Sequence, residues 1–303
     1  MSFYRDFNDK TAIAAWNAAP RKPFETIEVK RLSPTVGAEI SGVDLSGEIS
    51  EPQFEEIRRA LDENLAVIFR DQNLDRAAHK RLAKKFGGAL HRHELAASRG
   101  FDAAPDAEVL AWRTGPESRF TAGDGWHADV SCDAEPIFVS LLHVTRTPPT
   151  GGDTAFANAY LAYDSLSEPF KAFLEGLTAI HDGAEGWSAG YGAKPADGKS
   201  YPISEHPVVI THPRTGRKLL YVNPSFTTKI LQLTKTESDA VLGLLFRHIE
   251  SQIAFQTRIR WTPNALLIWD NWATQHHAVW DYYPEARWGE RVSVVIPGQK
   301  PSR

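Results

Sequence analysis

The sequence predicts a mostly β fold, a sandwich or jelly roll with flanking helices packed on its outside. After Gly88, short β-like runs alternate with loops rich in glycine, proline and aspartate, a pattern typical of such folds. Only two segments beyond that point show helical spacing. The chain can also build a full core, because 42% of its 303 residues are apolar or aromatic.

The first part of the chain mixes helices and strands. Residues 1–26 predict an N-terminal arm with a short helix near 10–17, and residues 27–303 predict a single domain. Apolar residues at helical spacing predict a helix over 50–64, with a capping box between Ser50 and Gln53. A second helix is predicted over 75–86, where two glycines follow. Strands are expected at 27–31, 37–40 and 66–69.

Beyond Gly88 the predicted elements are mainly strands. Helices are expected at 159–177 and 235–251, and a loop insertion rich in glycine and alanine at 182–205 has no assigned role. The strands are expected at 137–144, 208–211, 219–222, 259–261, 265–269 and 292–296.

Composition excludes several classes of protein. A net charge of −4 argues against a nucleic-acid partner, which would require a basic excess. The single cysteine, Cys132, excludes both an internal disulfide and a cysteine-based zinc site, and it fits a reducing compartment. No signal peptide and no apolar stretch of membrane-spanning length is found. We therefore expect a cytoplasmic protein with no membrane partner.

A candidate metal site begins at Trp126-His127-Ala128-Asp129. On a strand, residues two apart face the same side, so His127 and Asp129 would point together. By itself this tripeptide is more typical of a surface pair. A third ligand would come from His276-His277, and only one of these two can face the site, because adjacent strand residues face opposite ways. Two histidines and one carboxylate are the set that holds Fe(II) with coordination positions left open.

Two arginines follow the downstream histidines. Arg287 and Arg291 lie four residues apart, so on a strand both would face one side, and a guanidinium matches a carboxylate bidentately. The alternative is a solvated strand face with surface ion pairs to Glu285 and Glu290. Thr154, after Gly151-Gly152, either opens a strand after a turn or donates a hydrogen bond to the same carboxylate.

These motifs, in this order, resemble the TauD/TfdA family of taurine dioxygenase-like Fe(II)/2-oxoglutarate enzymes over residues 27–296. The resemblance implies a double-stranded β-helix, the clavaminate synthase-like jelly roll. It implies that His127, Asp129 and His276 are the iron ligands at which O2 is used, and that Arg287 and Thr154 bind the distal carboxylate of 2-oxoglutarate.

The resemblance also implies a small anionic organic substrate bound by His93, Phe226 and Arg291, and an enzyme that releases succinate and CO2. A sulfonate such as taurine is the first expectation, and an alkylsulfatase or aryloxyalkanoate dioxygenase activity is the alternative. Gly123 departs from the pattern, because the taurine enzyme has a substrate-contacting asparagine there and glycine offers no side-chain hydrogen bond. This departure puts taurine itself in doubt.

Two other classes stay open. A catalytically silent relative could bind a small acid, and the same residues could hold zinc in a hydrolase. The intact triad and both arginines favour the dioxygenase. Asp270-Asn271 is interpreted as a turn with no direct chemical role. Self-association into dimers or tetramers is implied by the resemblance alone.

Overall fold

A computed structural model describes residues 8–93, 106–121, 123–184, 186, 195 and 200–303. The first seven residues of the predicted arm and most of the predicted insertion at 182–205 lie outside these ranges. The α-helices in the described ranges are α1 Asn8–Ala18, α2 Glu51–Asn64, α3 Arg76–Lys85, α4 Ala159–Asp164, α5 Glu168–Leu174 and α6 Lys235–Ser251.

The strands outnumber the helices, as the sequence predicts. They are β1 Glu28–Arg31, β2 Ala38–Ser41, β3 Ala66–Phe69, β4 Ala89–Leu90, β5 Leu110–Thr114, β6 Val139–Arg146, β7 Thr154–Asn158, β8 Thr178–Asp182, β9 Ile203–Pro207, β10 Val209–Thr211, β11 Lys218–Leu220, β12 Thr227–Ile230, β13 Gln256–Ile259, β14 Ala265–Asp270, β15 Thr274–Ala278 and β16 Arg287–Val295.

The largest sheet has the order β1-β2-β3-β14-β6-β16-β4, with β5 also paired to β16. Its pairings are antiparallel except that of β2 with β3. Every residue of β3 and β14 is buried. Apolar runs of this kind suit strands that are covered on both faces. Helices α2 and α3 turn their apolar faces toward this sheet.

Smaller sheets complete the β structure, in the orders β13-β7-β15, β12-β8-β9 and β10-β11. Strand β15 is joined to the loop before β6 by an isolated antiparallel bridge between His127 and His276. Four of the functional residues predicted from the sequence therefore lie in two sheets: Thr154 and His276 in a small one, and Arg287 and Arg291 in the largest.

Two predicted details of the helices are wrong. Ser50 does cap α2 by accepting a hydrogen bond from the backbone of Gln53, but the Gln53 amide donates to the carbonyls of Thr26 and Gly42, so the predicted capping box is not formed. The predicted helix at 159–177 is two helices, α4 and α5. The break precedes Pro169, whose ring would clash with the carbonyl of Ser165 inside a continuous helix.

The predicted arm packs onto the main core. Trp16 of α1 is buried and stacks on Tyr160 of α4, with ring centroids 6.1 Å apart. Among the helices of the described ranges, none combines the length and hydrophobicity needed to cross a bilayer.

Candidate active site

His127, Asp129 and His276 converge in one buried cluster. One potential ligand atom from each residue lies within 4.8 Å of the other two. Nε2 of His127 is 3.7 Å from one carboxylate oxygen of Asp129, and Nε2 of His276 is 3.8 Å from the other. Two imidazoles and a carboxylate at these separations fit a 2-His-1-carboxylate site for Fe(II).

The local structure that brings His127 and Asp129 together is not the predicted strand. His127 bridges to His276 through backbone hydrogen bonds of 3.0 and 2.8 Å, and the chain then turns at Asp129 and Val130. Val130 has a φ of 42°, which a strand residue does not adopt. The strand prediction for these residues is therefore wrong, although their side chains still converge.

The two histidine rings are oriented by different means. Nδ1 of His127 lies 2.8 Å from the carbonyl oxygen of Gly125, to which it donates a hydrogen bond. In the neutral ring this bond selects the tautomer whose Nε2, the atom toward Asp129, is free to bind a metal. The His276 ring packs against Phe156 and Trp269. Its neighbour His277 faces away and pairs with Asp124.

Arg291 holds the carboxylate of Asp129. Its Nη1 donates a hydrogen bond of 2.6 Å to Asp129, and the hydroxyl of Ser140 donates to the other carboxylate oxygen at 3.3 Å. Burial favours the neutral carboxyl, but Arg291, His276 and His127 outweigh it and hold the pKa of Asp129 well below its usual range. Burial and the neighbouring His127 lower the pKa of His276. The site therefore contains a carboxylate anion beside an unprotonated imidazole, the forms that bind a metal.

Asn271 fixes the backbone of Asp129, and sequence reasoning missed this role. Its side-chain oxygen accepts from the backbone N–H of Asp129 at 2.8 Å. Its side-chain nitrogen donates to the carbonyls of Asp129 and Ile137 at 3.0 and 2.8 Å. The signal in the sequence was an asparagine between apolar segments, a position where burial is expected. A buried side-chain amide needs hydrogen-bond partners.

Arg287 is a buried cation without an acidic partner. The side chain is 2% exposed, lies over the rings of Trp112 and Trp261, and makes no ion pair with any described residue. Burial lowers the pKa of Arg287 to about 10, which still leaves it charged at neutral pH. Tyr282 and the charge of Asp153 oppose the lowering of its pKa. A buried charge without an ion-pair partner is costly, so this guanidinium is prepared for an anionic ligand.

Thr154 lies beside Arg287, and its neighbours determine which hydrogen bonds its hydroxyl accepts and donates. The oxygen accepts from Nε1 of Trp261 at 3.0 Å and from Nη2 of Arg287 at 3.3 Å. A hydroxyl oxygen has two acceptor positions and one donor hydrogen. Both acceptor positions are used, so the hydrogen is left to donate to the same anion.

These residues surround one cavity of about 70 Å³. The residues on its wall that the sequence predicted are His127, Asp129, Thr154, Phe226, His276, Arg287 and Arg291. His93 is not on that wall. It is 3% exposed, neither ring nitrogen has a hydrogen-bond partner among the described residues, and burial, His91 and Arg291 lower its pKa. Its contact with substrate stays a prediction.

A family model described as "Taurine catabolism dioxygenase TauD, TfdA family" matches residues 28–293 of the chain. A curated relative from Saccharomyces cerevisiae, an α-ketoglutarate-dependent sulfonate dioxygenase, is 34% identical over 269 residues. The match covers 84% of this chain and 63% of the yeast protein, so the chain spans less than two thirds of that relative. An alkylsulfatase from Acinetobacter baylyi is 29% identical over 290 residues, with coverage of 91% of this chain and 87% of that protein.

A solved structure gives the same result for the fold. The crystal structure of a taurine dioxygenase from Burkholderia xenovorans superposes with a TM-score of 0.75 at 33% sequence identity. The superposition covers 89% of this chain and 90% of that one. The predicted jelly roll is confirmed.

Proposed function

The chain belongs to the TauD, TfdA family of dioxygenases that use Fe(II), 2-oxoglutarate and O2, and from that premise we propose that its substrate is a small sulfonate. Such an enzyme couples the oxidative decarboxylation of 2-oxoglutarate, which gives succinate and CO2, to hydroxylation of a C–H bond. When the hydroxylated carbon carries the sulfonate group, the product releases that group and leaves a carbonyl compound.

We propose that His127, Asp129 and His276 are the iron ligands. The separations of the three side chains, the lowered pKa of Asp129 and the lowered pKa of His276 support this role. The main-chain carbonyl of Gly125 would keep His127 in the tautomer that binds metal. Asn271 would keep Asp129 at the correct position.

Arg287 and Thr154 would bind the distal carboxylate of 2-oxoglutarate. The single observation that carries this proposal is the buried, unpaired guanidinium of Arg287 in the same cavity as the triad. A dicarboxylate that binds the metal at one end would place its other carboxylate beside Arg287, which has no ion-pair partner among the described residues. The free hydroxyl hydrogen of Thr154 supports the same orientation.

The substrate end rests on Arg291, with Phe226 as an apolar wall and His93 as a further contact. Arg291 is adjacent to the triad through its bond to Asp129, so an anion bound there would present its carbon atoms to the metal. The yeast relative is a sulfonate dioxygenase, which supports a sulfonate as first choice. The Acinetobacter relative is an alkylsulfatase, which supports a sulfate ester as second choice, before an aryloxyalkanoate.

We also propose a location, an oligomeric state and a domain organisation. The single cysteine supports a cytoplasmic location, the TauD/TfdA resemblance supports a dimer or tetramer, and the continuous family match supports one domain from residue 27 onward.

The test is succinate formation by anaerobically purified protein that is supplied with Fe(II), 2-oxoglutarate and O2. We expect succinate to rise with a sulfonate or sulfate ester and not without Fe(II). His276→Ala should abolish both metal binding and turnover, whereas His277→Ala should keep both, because His277 faces away from the cavity. Turnover with Zn(II) alone, or a His276→Ala protein that still binds Fe(II), would contradict the proposed site.

A further inference from the structure

Ser140 of β6 and Ser293 of β16 face each other inside the largest sheet. They are directly paired in the strand register, both are fully buried, and their hydroxyl oxygens lie 3.1 Å apart. Their neighbours along the two strands are buried apolar residues: Val139, Leu141, Val292 and Val294. A hydroxyl in such a position costs stability unless it is hydrogen-bonded. The two serines therefore interrupt an apolar core, and their hydrogen bonds show what they contribute.

The direction of the hydrogen bonds is fixed by Asp129. The hydroxyl of Ser140 lies 3.3 Å from Oδ2 of Asp129, and an ionised carboxylate can only accept. The single hydrogen of Ser140 is thus used for Asp129, and the contact between the serines requires Ser293 as its donor. The result is an ordered chain in which Ser293 donates to Ser140 and Ser140 donates to Asp129. Successive hydrogen bonds in a buried site strengthen one another.

The two oxygens of the Asp129 carboxylate are held from different strands. Oδ1 accepts from Arg291 of β16 at 2.6 Å, and Oδ2 accepts from Ser140 of β6. A carboxylate that is held at one oxygen alone still rotates about its Cβ–Cγ bond, whereas two anchors fix its plane. Oδ1 lies toward Nε2 of His127 and Oδ2 toward Nε2 of His276. The orientation of this plane therefore sets which oxygen is presented to a metal between the histidines.

The serine pair is separate from the substrate side of the site. The proposed function gives Arg291 a second ligand, the substrate anion, in addition to Asp129. Neither Ser140 nor Ser293 is among the described residues that line the cavity. The two hydroxyls lie behind the carboxylate, so they act on the metal through Asp129 alone. Their hold on Oδ2 is the same whether or not a substrate is bound.

We propose that Ser140 and Ser293 are positioning residues of the iron site. Ser140 fixes the plane of the Asp129 carboxylate, and Ser293 orients the hydroxyl of Ser140. This inference rests on the proposed function, because it assumes that Asp129 is an iron ligand. It assigns a role in metal binding to two side chains that do not touch the metal, the co-substrate or the substrate.

The first test removes each hydroxyl and measures Fe(II) binding in the absence of O2. Ser140→Ala should raise the dissociation constant for Fe(II) by about tenfold, the lower end of what loss of support behind a metal ligand costs. Ser293→Ala should raise it less, because Ser140 keeps its bond to Asp129. Ser238→Ala is the matched control. Ser238 is also fully buried, and its hydroxyl accepts from the backbone of Ile230, away from the described cavity wall.

The control variant should lose stability in thermal unfolding and keep the Fe(II) affinity of the unmodified protein. A Ser140→Ala protein that binds Fe(II) as tightly as the Ser238→Ala control would overturn the proposal.

The second test asks whether Ser293 acts through Ser140. The double variant with alanine at both positions should bind Fe(II) as Ser140→Ala does, because the two residues form one chain. Losses that add would show that Ser293 acts independently and would overturn its assigned role. Co(II) is a spectroscopic probe of the same site, because its visible absorption reports the arrangement of its ligands. We expect a changed Co(II) spectrum in Ser140→Ala and an unchanged one in Ser238→Ala.

The two levels of inference fail differently. If His276→Ala still binds Fe(II), or the unmodified protein binds neither Fe(II) nor Co(II), the proposed iron site itself is wrong. If the unmodified protein binds both metals and His276→Ala binds neither, but Ser140→Ala equals its control in affinity and spectrum, only the positioning role is wrong.

Discussion

Asn271 and Asp129 are joined by two hydrogen bonds that use both ends of one amide and both backbone groups of one residue. The N–H of Asp129 donates to the amide oxygen at 2.8 Å, and the amide nitrogen donates to the carbonyl of Asp129 at 3.0 Å. The amide of Asn271 thus forms the two backbone hydrogen bonds that a neighbouring strand would form, at a point where the backbone turns. It therefore replaces the strand that the sequence predicted around Asp129.

Replacement of Asn271 with alanine should weaken metal binding. The backbone of Asp129 would lose both bonds, and loss of such support behind a metal ligand typically costs about 10- to 100-fold in metal affinity. Titration of the purified protein with Fe(II) under anaerobic conditions measures the dissociation constant directly.

Asn158→Ala is the control for this prediction. Asn158 is also fully buried, and its amide bonds to the backbone of Leu161 and Thr35, remote from the cavity wall. Both variants should lose about 1–3 kcal/mol of stability because backbone groups become unsatisfied. Only Asn271→Ala should lose metal affinity, and equal losses in both would assign Asn271 a merely structural role.

Arg287→Lys should weaken 2-oxoglutarate and leave the substrate KM nearly unchanged. Lysine keeps the charge but cannot form the planar double hydrogen bond. Loss of one charge-assisted hydrogen bond costs about 1.5–3 kcal/mol, which corresponds to a rise of about 10- to 100-fold in the dissociation constant for 2-oxoglutarate. Calorimetry with the Fe(II) protein gives this value, and a change below twofold would count against the assignment.

Arg291→Ala should affect the substrate far more than 2-oxoglutarate, the opposite of Arg287→Lys. At saturating Fe(II), the substrate KM should rise by at least about tenfold, as expected when a charge-assisted hydrogen bond is removed, and the KM for the co-substrate should rise far less. Succinate production at varied concentrations of each reactant separates the two constants. Equal effects on both would show that Arg291 does not discriminate the substrate from the co-substrate.

Thr154→Val and Thr154→Ser form a matched pair. Valine has a similar shape, but it leaves Nε1 of Trp261 without an acceptor and removes the donor hydrogen, so it should cost about 1–3 kcal/mol of stability and weaken 2-oxoglutarate. Serine keeps the hydroxyl and should behave nearly as threonine does. Thermal unfolding and 2-oxoglutarate titration give both results, and a serine variant as weak as valine would show that loss of the hydroxyl does not by itself account for the effect.

Asp133→Asn should stabilise the fold above pH 6. Burial raises the pKa of Asp133 to about 6, above its ordinary value of 3.8. The folded chain keeps this proton where the unfolded chain has lost it, so stability falls as the pH rises through this window. Removing the charge should gain about 1–3 kcal/mol at pH 8 and less at pH 5, measured by denaturant unfolding. The exposed Asp239→Asn should give no such difference.

Much of the fold could be predicted because its signals are local. The apolar run of β3 and the helical spacing of α6 appear at the predicted residues. The strands β4, β5, β8, β9 and β12 were missed, and β7 and β15 were indicated only by a possible strand opening at Thr154 and by the alternation at His276-His277. In β7, Thr154–Asn158, all residues are buried, but the run is short and contains small and polar side chains. Its strand conformation comes from its partners β13 and β15, which lie far along the chain.

Most residues of the candidate site could be predicted from the sequence, but the contacts that hold them in place could not. The motifs around His127, Thr154 and the arginines, together with the family resemblance, named seven of the residues that line the cavity. The bond from Arg291 to Asp129, the aromatic rings beneath Arg287 and the amide of Asn271 are contacts between distant segments. No spacing within one segment encodes them, because they depend on how the sheets meet.

The pairing of Asp129 with Asn271 spans 142 residues of sequence. A ribosome adding about 5–20 residues per second needs roughly 7–30 s to synthesise that interval. During this time the nascent chain carries His127 and Asp129 without their third partner and without the amide that holds them. The three proposed iron ligands are therefore present together only late in the synthesis of each molecule.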